Sequence, residues 1–161
     1  MKHTLSVLVE NKPGVLTRVA GLFARRGFNI DSLVVSPVLD TDFSRITITC
    51  SGDASALDQI IKQLVKLIDV VRAIDHTGES VIEKEMALVK VQCPPENRTA
   101  ILQITEHFKG TTVDFGHESL IVQLAGGSEK IDTALGLLRP FGITDIVRSG
   151  KILMARGVGR T

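Results

Sequence analysis

The apolar residues of this chain switch between a period of two and a period near 3.6, and the order of those switches occurs twice. Leu5, Val7 and Val9 alternate with polar neighbours, which predicts a strand with one buried face over residues 4–10. After a break at 11–14 the spacing of Val15, Leu16, Val19, Leu22 and Phe23 predicts a helix over 14–26, closed by Arg25, Arg26 and Gly27. Residues 29–36 read as a second strand, with Ile30 and Leu33 out of phase and hence a bulge near Asp31 and Ser32. Ile46, Ile48 and Cys50 mark a third strand. Ser55 with Asp58 resembles a capping box for a helix carrying Leu57, Ile60, Ile61, Leu64 and Ile68, and residues 69–75 suit a short fourth strand.

A polar, aperiodic stretch follows, and the cycle then restarts. Ala87, Val89, Val91 and Cys93 form a strand face, and Pro94 and Pro95 open a helix with Ile101, Ile104 and Phe108 inward and Gly110 as its cap. Val113 with Phe115, then Leu120, Val122 and Leu124, mark two strands. Ser128 starts a helix with Ile131, Ala134, Leu135 and Leu138 buried, Pro140 stops it, and residues 143–148 form the last strand. The expected class is therefore α+β: two consecutive ferredoxin-like βαββαβ domains over 1–76 and 85–161, with a linker over 77–84. Two helices would cover one face of each antiparallel sheet. Nothing in the sequence covers the other face, so a dimer or larger assembly is expected.

Composition narrows the function. With 19 basic and 18 acidic residues the formal charge is +1, which offers no field for a nucleic-acid backbone or an anionic membrane. There is no Trp and no Tyr for base stacking. The opening residues lack the apolar core of a secretion signal, and no apolar run approaches the roughly 18 residues of a membrane span. The two cysteines, Cys50 and Cys93, end strand-like runs and read as reduced core residues of a cytoplasmic protein. His3, His76, His107 and His117 show no metal-ligand spacing, so no metal site is expected.

The informative segment is Asn11-Lys12-Pro13-Gly14-Val15-Leu16, where a strand hands over to a helix whose first N–H groups have no intrahelical partner. Gly14 would leave the amides of Gly14, Val15 and Leu16 open to a carboxylate. Attraction at a helix end is worth roughly 0.3–1 kcal/mol, too little alone for useful affinity. A free amino acid would add an ammonium group, for which the side-chain oxygens of Asn11 and Asn29 and the carbonyl of Ile30 are acceptors. Burial of a branched aliphatic side chain adds roughly 1.5–3 kcal/mol. The same four residues, Asn-Lys-Pro-Gly, also make an ordinary turn and helix start, and taken alone they leave both readings open.

The stretch NKPGVLTRVAGLFARRGFNIDSL from Asn11 to Leu33 resembles the ACT-domain signature of acetolactate synthase small subunits. The resemblance continues through SRITIT at 44–49, KQLVKLIDV at 62–70, EKEMALVKV at 83–91, VQLAG at 122–126 and VRSG at 147–150, departing at the Cys93-Pro94-Pro95-Glu96 helix entry. It implies a non-catalytic regulatory subunit that raises the activity of a large catalytic subunit and confers feedback inhibition by valine or another branched-chain amino acid. No cofactor is implied for this chain, whereas thiamine diphosphate, magnesium and FAD are expected in the catalytic partner. It further implies a homodimer joined edge to edge through the ACT domains. Asn11, Gly14, Val15 and Leu16 would come from one protomer, and Asn29 and Ile30 from the other. The second domain is expected to meet the catalytic subunit.

Two other readings share the order of elements. An acylphosphatase-like hydrolase would want an Arg inside the first loop, where this chain has Lys12 and Pro13, and no Ser–His or Cys–His pairing is apparent. An RNA-binding module would want aromatics on the central strands, which here carry Leu5, Val7, Val9, Ile46 and Ile48.

Overall fold

The computed structural model describes residues 2–161. Two compact units emerge, one of residues up to Ile82 together with Lys151–Thr161, the other Glu83–Gly150. The segment Lys151–Thr161, expected with the second domain, groups with the first unit.

The first unit contains β1 (Lys2–Glu10), α1 (Val15–Arg25), β2 (Asn29–Pro37), β3 (Phe43–Ser51), α2 (Ala54–Leu64) and β4 (Val70–Asp75), with sheet order β2-β3-β1-β4. All its pairings are antiparallel. Leu5, Val7 and Val9 lie opposite Ile48, Ile46 and Ser44, and their face packs on Val15, Val19, Leu22 and Phe23 of α1 and Leu57, Ile60 and Leu64 of α2. The register of β2 slips between Ile30 and Ser32, the bulge expected at Asp31. At the end of α1, Gly27 turns left-handed, its N–H bonds Ala24 O at 3.1 Å and Phe28 N–H bonds Phe23 O at 2.9 Å, which closes the helix.

Two local expectations fail here. Helix α2 is capped by Asp53, whose carboxylate accepts from Ser55 N and Ala56 N, so Ser55 sits inside the first turn. The helix ends at Leu64, leaving Ile68 95% exposed in the following turn. On the far face of the sheet Thr4, Ser6, Thr47 and Thr49 are buried. His76 packs onto Ser6, and Arg72 donates to Thr161 O at 2.8 Å.

The second unit repeats the plan with β5 (Val81–Gln92), a 3₁₀ turn at Pro95–Asn97, α3 (Arg98–His107), β6 (Thr111–Phe115), β7 (Ser119–Gly126), α4 (Ser128–Leu138) and β8 (Ile143–Arg148). Its order is β6-β7-β5-β8. Ala87, Val89 and Val91 with Leu120, Val122 and Leu124 face Ile101, Ile131, Ala134 and Leu138. Strand β5 begins inside the stretch expected to be a linker. Its alternation reaches back to Glu85, an inward position where a carboxylate is 6% exposed and ion-paired to Arg148. The first helix of this unit starts at Arg98 rather than at the prolines, and Lys109, with φ 53°, takes the left-handed place expected of Gly110. Ser128 is the first residue of α4 and makes no cap bond; its hydroxyl goes to Glu85. Here the far face is open, with Met86, Leu88 and Val147 exposed by 43%, 40% and 60%.

Candidate functional site

The turn between β1 and α1 is held from both sides. Asn11 N–H donates to Asp42 O at 2.8 Å and Glu10 N–H to Asp69 O at 2.8 Å, which fixes the strand end against the β2–β3 turn and the start of β4. Gly14 then adopts φ 83°, a left-handed N-cap without a side-chain bond, as glycine alone does without strain. Val15 N–H turns back to Lys12 O at 3.4 Å, a long contact. Gly14 and Leu16 N–H have no partner among the described residues. A substituent on Gly14 would meet no backbone, and its nearest neighbour would be Arg18 Nη1 at 3.5 Å. The space in front of the helix is thus open. Asn11 and Gly14 are exposed, Leu16 is exposed, and Val15 turns into the core.

Electrostatics around the turn are balanced within the chain. Lys12 is ion-paired with Glu10, and that contact holds its pKa above the ordinary lysine value. Arg18 folds back along α1 so that Nη2 lies 2.6 Å from Asp69 Oδ2, with the Asp69 side chain only 10% exposed. Neither Lys12 nor Arg18 was singled out by sequence reasoning as a ligand. Arg18 is four residues beyond Gly14, and nothing in its spacing says that its guanidinium returns to the helix start.

Asn29 and Ile30 lie elsewhere. Asn29 is level with Ser51 and Lys2, whereas Asn11 follows Glu10, level with Phe43. Eight residues of strand, about 26 Å, separate the two ends. One chain therefore brings Asn11, Gly14, Val15 and Leu16 together and leaves Asn29 and Ile30 at the far end of β2, an edge strand. Asn29 Nδ2 donates to Asp31 Oδ1 at 3.2 Å, and Ser51 Oγ donates to Asp31 Oδ2 at 2.6 Å.

A second cluster was not foreseen. Ser6 Oγ lies 2.9 Å from His76 Nε2, and His76 Nδ1 lies 2.7 Å from Glu79 Oε2, an order of groups used in nucleophilic hydrolases. Seventy positions separate the serine from the histidine, so no local motif announces the pairing. Ser6 is 3% exposed beneath a fully buried imidazole, so no substrate carbonyl reaches its oxygen. The cluster fastens the segment after β4 to the sheet. Among the described residues no group of three His, Cys, Asp or Glu side chains is placed to hold a metal ion.

Comparison with known proteins bears on both units. Residues 5–72 match the family described as AHAS small subunit-like ACT domain, and residues 84–157 match the family described as small subunit of acetolactate synthase. A probable acetolactate synthase small subunit of Archaeoglobus fulgidus is 47% identical over 157 residues, 98% of each chain. The acetolactate synthase small subunit of Mycobacterium bovis is 45% identical over 96% of this chain and 92% of its own. The crystal structure of the acetolactate synthase small subunit from Thermotoga maritima superposes with a TM-score of 0.87 at 38% identity, covering 98% of both chains. From its ACT domain to its last strand, this chain belongs to the acetolactate synthase small-subunit family.

Proposed function

We propose that the chain binds valine, or a close branched-chain relative, between the ACT domains of two copies and so sets the activity of an acetolactate synthase catalytic subunit. The observation that carries this reading is the open helix start at Gly14, combined with the 26 Å or so that separates it from Asn29 within one chain. Antiparallel pairing of two β2 edges sets Asn29 of one copy beside the Pro37 end of the other, the end that carries Asn11 and Gly14. The effector carboxylate then lies on the bare amides, its ammonium meets Asn29 Oδ1 and the Ile30 carbonyl, and its side chain meets the exposed Leu16. Helix-end attraction, charge-assisted hydrogen bonds and burial of an isopropyl group together supply roughly 4–8 kcal/mol, a millimolar-to-micromolar affinity.

In this proposal the reaction, which joins two pyruvates or pyruvate and 2-oxobutyrate, takes place wholly on the cytoplasmic partner, which carries the thiamine diphosphate, magnesium and FAD. The second unit is assigned to contact with that partner. Titration of the purified chain with valine, leucine and isoleucine, followed by heat or melting temperature, tests the sensor. Saturable binding of valine and a dimer in solution are expected. Absence of a response to all three overturns the reading. Co-purification with the catalytic subunit, with a rise in its rate on addition of this chain, tests the activating role.

A further inference from the structure

We propose that Arg18 reads the effector carboxylate, held in place for that task by the buried Asp69; this rests on the effector site proposed above and assigns it a residue. The guanidinium has two faces to account for. Nη2 forms an ion pair with Asp69 Oδ2 at 2.6 Å without the alignment of a hydrogen bond, and no protein acceptor takes Nη1 among the described residues. Nη1 lies where a side chain on Gly14 would begin, 3.5 Å from that position, so it borders the same open space as the Gly14 and Leu16 amides. An anion seated on those amides thus gains a third, charged donor.

Asp69 explains why the long side chain folds back. Its main-chain oxygen accepts from Glu10 N–H at 2.8 Å, which fixes the residue beside the turn, and its side chain is 10% exposed. A planar guanidinium can serve a carboxylate on each edge, whereas an ammonium is a point charge. The other cation at the turn, Lys12, is occupied by Glu10 and is not needed in this scheme.

The test is calorimetric titration of the full chain with L-valine and with L-valinamide, which keeps the ammonium and isopropyl groups and lacks the carboxylate charge. Wild type should prefer L-valine. Arg18→Gln should weaken L-valine by roughly ten- to a hundred-fold and leave L-valinamide nearly unchanged, since a hydrogen bond to a charged group is lost for one ligand alone. Arg18→Lys should fall between, and Asp69→Asn should weaken L-valine by freeing the guanidinium. Equal L-valine affinity in wild type and Arg18→Gln overturns the role of Arg18 while leaving the effector site standing. Equal losses for both ligands also overturn it, because they mean a distorted turn. No binding of L-valine to the wild type overturns the site and this role together.

Discussion

The β1–α1 and β5–α3 connections occupy the same place in two units of the same topology, and they have opposite chemistry. The first ends in a left-handed glycine and leaves N–H groups bare. The second enters through Pro94 and Pro95, which have no N–H to offer, and Glu96 places a carboxylate in the following 3₁₀ turn. Topology puts a helix start at the end of the first strand in both. Gly14 leaves bare amides at one start, and Pro94, Pro95 and Glu96 remove N–H groups and add a carboxylate at the other. The sheets differ too, for the far face of the first carries the buried Thr4, Ser6, Thr47 and Thr49, while that of the second shows Met86, Leu88 and Val147 to solvent.

The sharpest way to break this contrast is to put an acidic side chain into the first turn. Gly14→Asp sets a carboxylate in the effector's place, and like-charge contact of several kcal/mol should weaken valine more than about a hundred-fold in a titration. Left-handed backbone at that position costs the new residue about 1–2 kcal/mol, so melting temperature should drop by no more than about 8 °C. A large loss of affinity with an intact melt preserves the contrast. Unaltered affinity erases it.

Next in size is the charged cluster of the second unit. Arg148 pairs with the buried Glu85, and its Nη1 reaches Asp132 at 2.6 Å. Arg148→Ala should destabilise this unit by roughly 2–3 kcal/mol in denaturant, below the full penalty for a buried pair because Arg148 remains a third exposed. Valine binding should be unaffected. Burial opposes ionisation of Glu85, but the Arg148 contact and the Ser128 hydroxyl outweigh it and hold the pKa below the ordinary glutamate value. A group depressed on folding stabilises fully above its unfolded pKa, near 4.3, and loses that contribution as the pH falls through the lower folded value. Acid titration followed by unfolding should therefore show a steeper loss below about pH 4.3 in wild type than in Glu85→Gln.

The smallest effect compares the two helix ends. Gly27 closes α1 in the left-handed region without strain, and Lys109 closes α3 with φ 53° and a Cβ. Lys109→Gly should stabilise the chain by about 1 kcal/mol, read as a rise in denaturant midpoint, whereas Gly27→Lys should do the reverse.

Most of the fold was legible because its strands alternate on one buried face and its helices each carry one apolar stripe. Where the reading slipped, a single residue stood against its pattern. Residues 81–84 carry no apolar alternation of their own and read as linker, and the first inward position of β5 after them is the charged Glu85, whose partner Arg148 is far along the chain. Ile68 is apolar at helical spacing, but the chain has already turned toward Asp69, whose oxygen is fixed by Glu10. Ser55 and Ser128 resembled caps, and Asp53 and Gly127 hold those positions. At the candidate site the glycine and the bare amides could be read from the turn. The return of Arg18 to Gly14, and the reach of Ser6 to His76, depend on side-chain paths and strand order that no local pattern encodes.

The anchoring of His76 bears on how the chain can be dissected. Residue 76 resembles a natural cutting point, yet scissors applied after it strip the His76 imidazole of Glu79 and discard Lys151–Thr161, which groups with the opening half. A shortened product of that kind is a wounded body rather than an autonomous module. Whatever is trimmed from the chain, the first unit keeps its full complement of residues only if Lys151–Thr161 stays with the part up to Ile82.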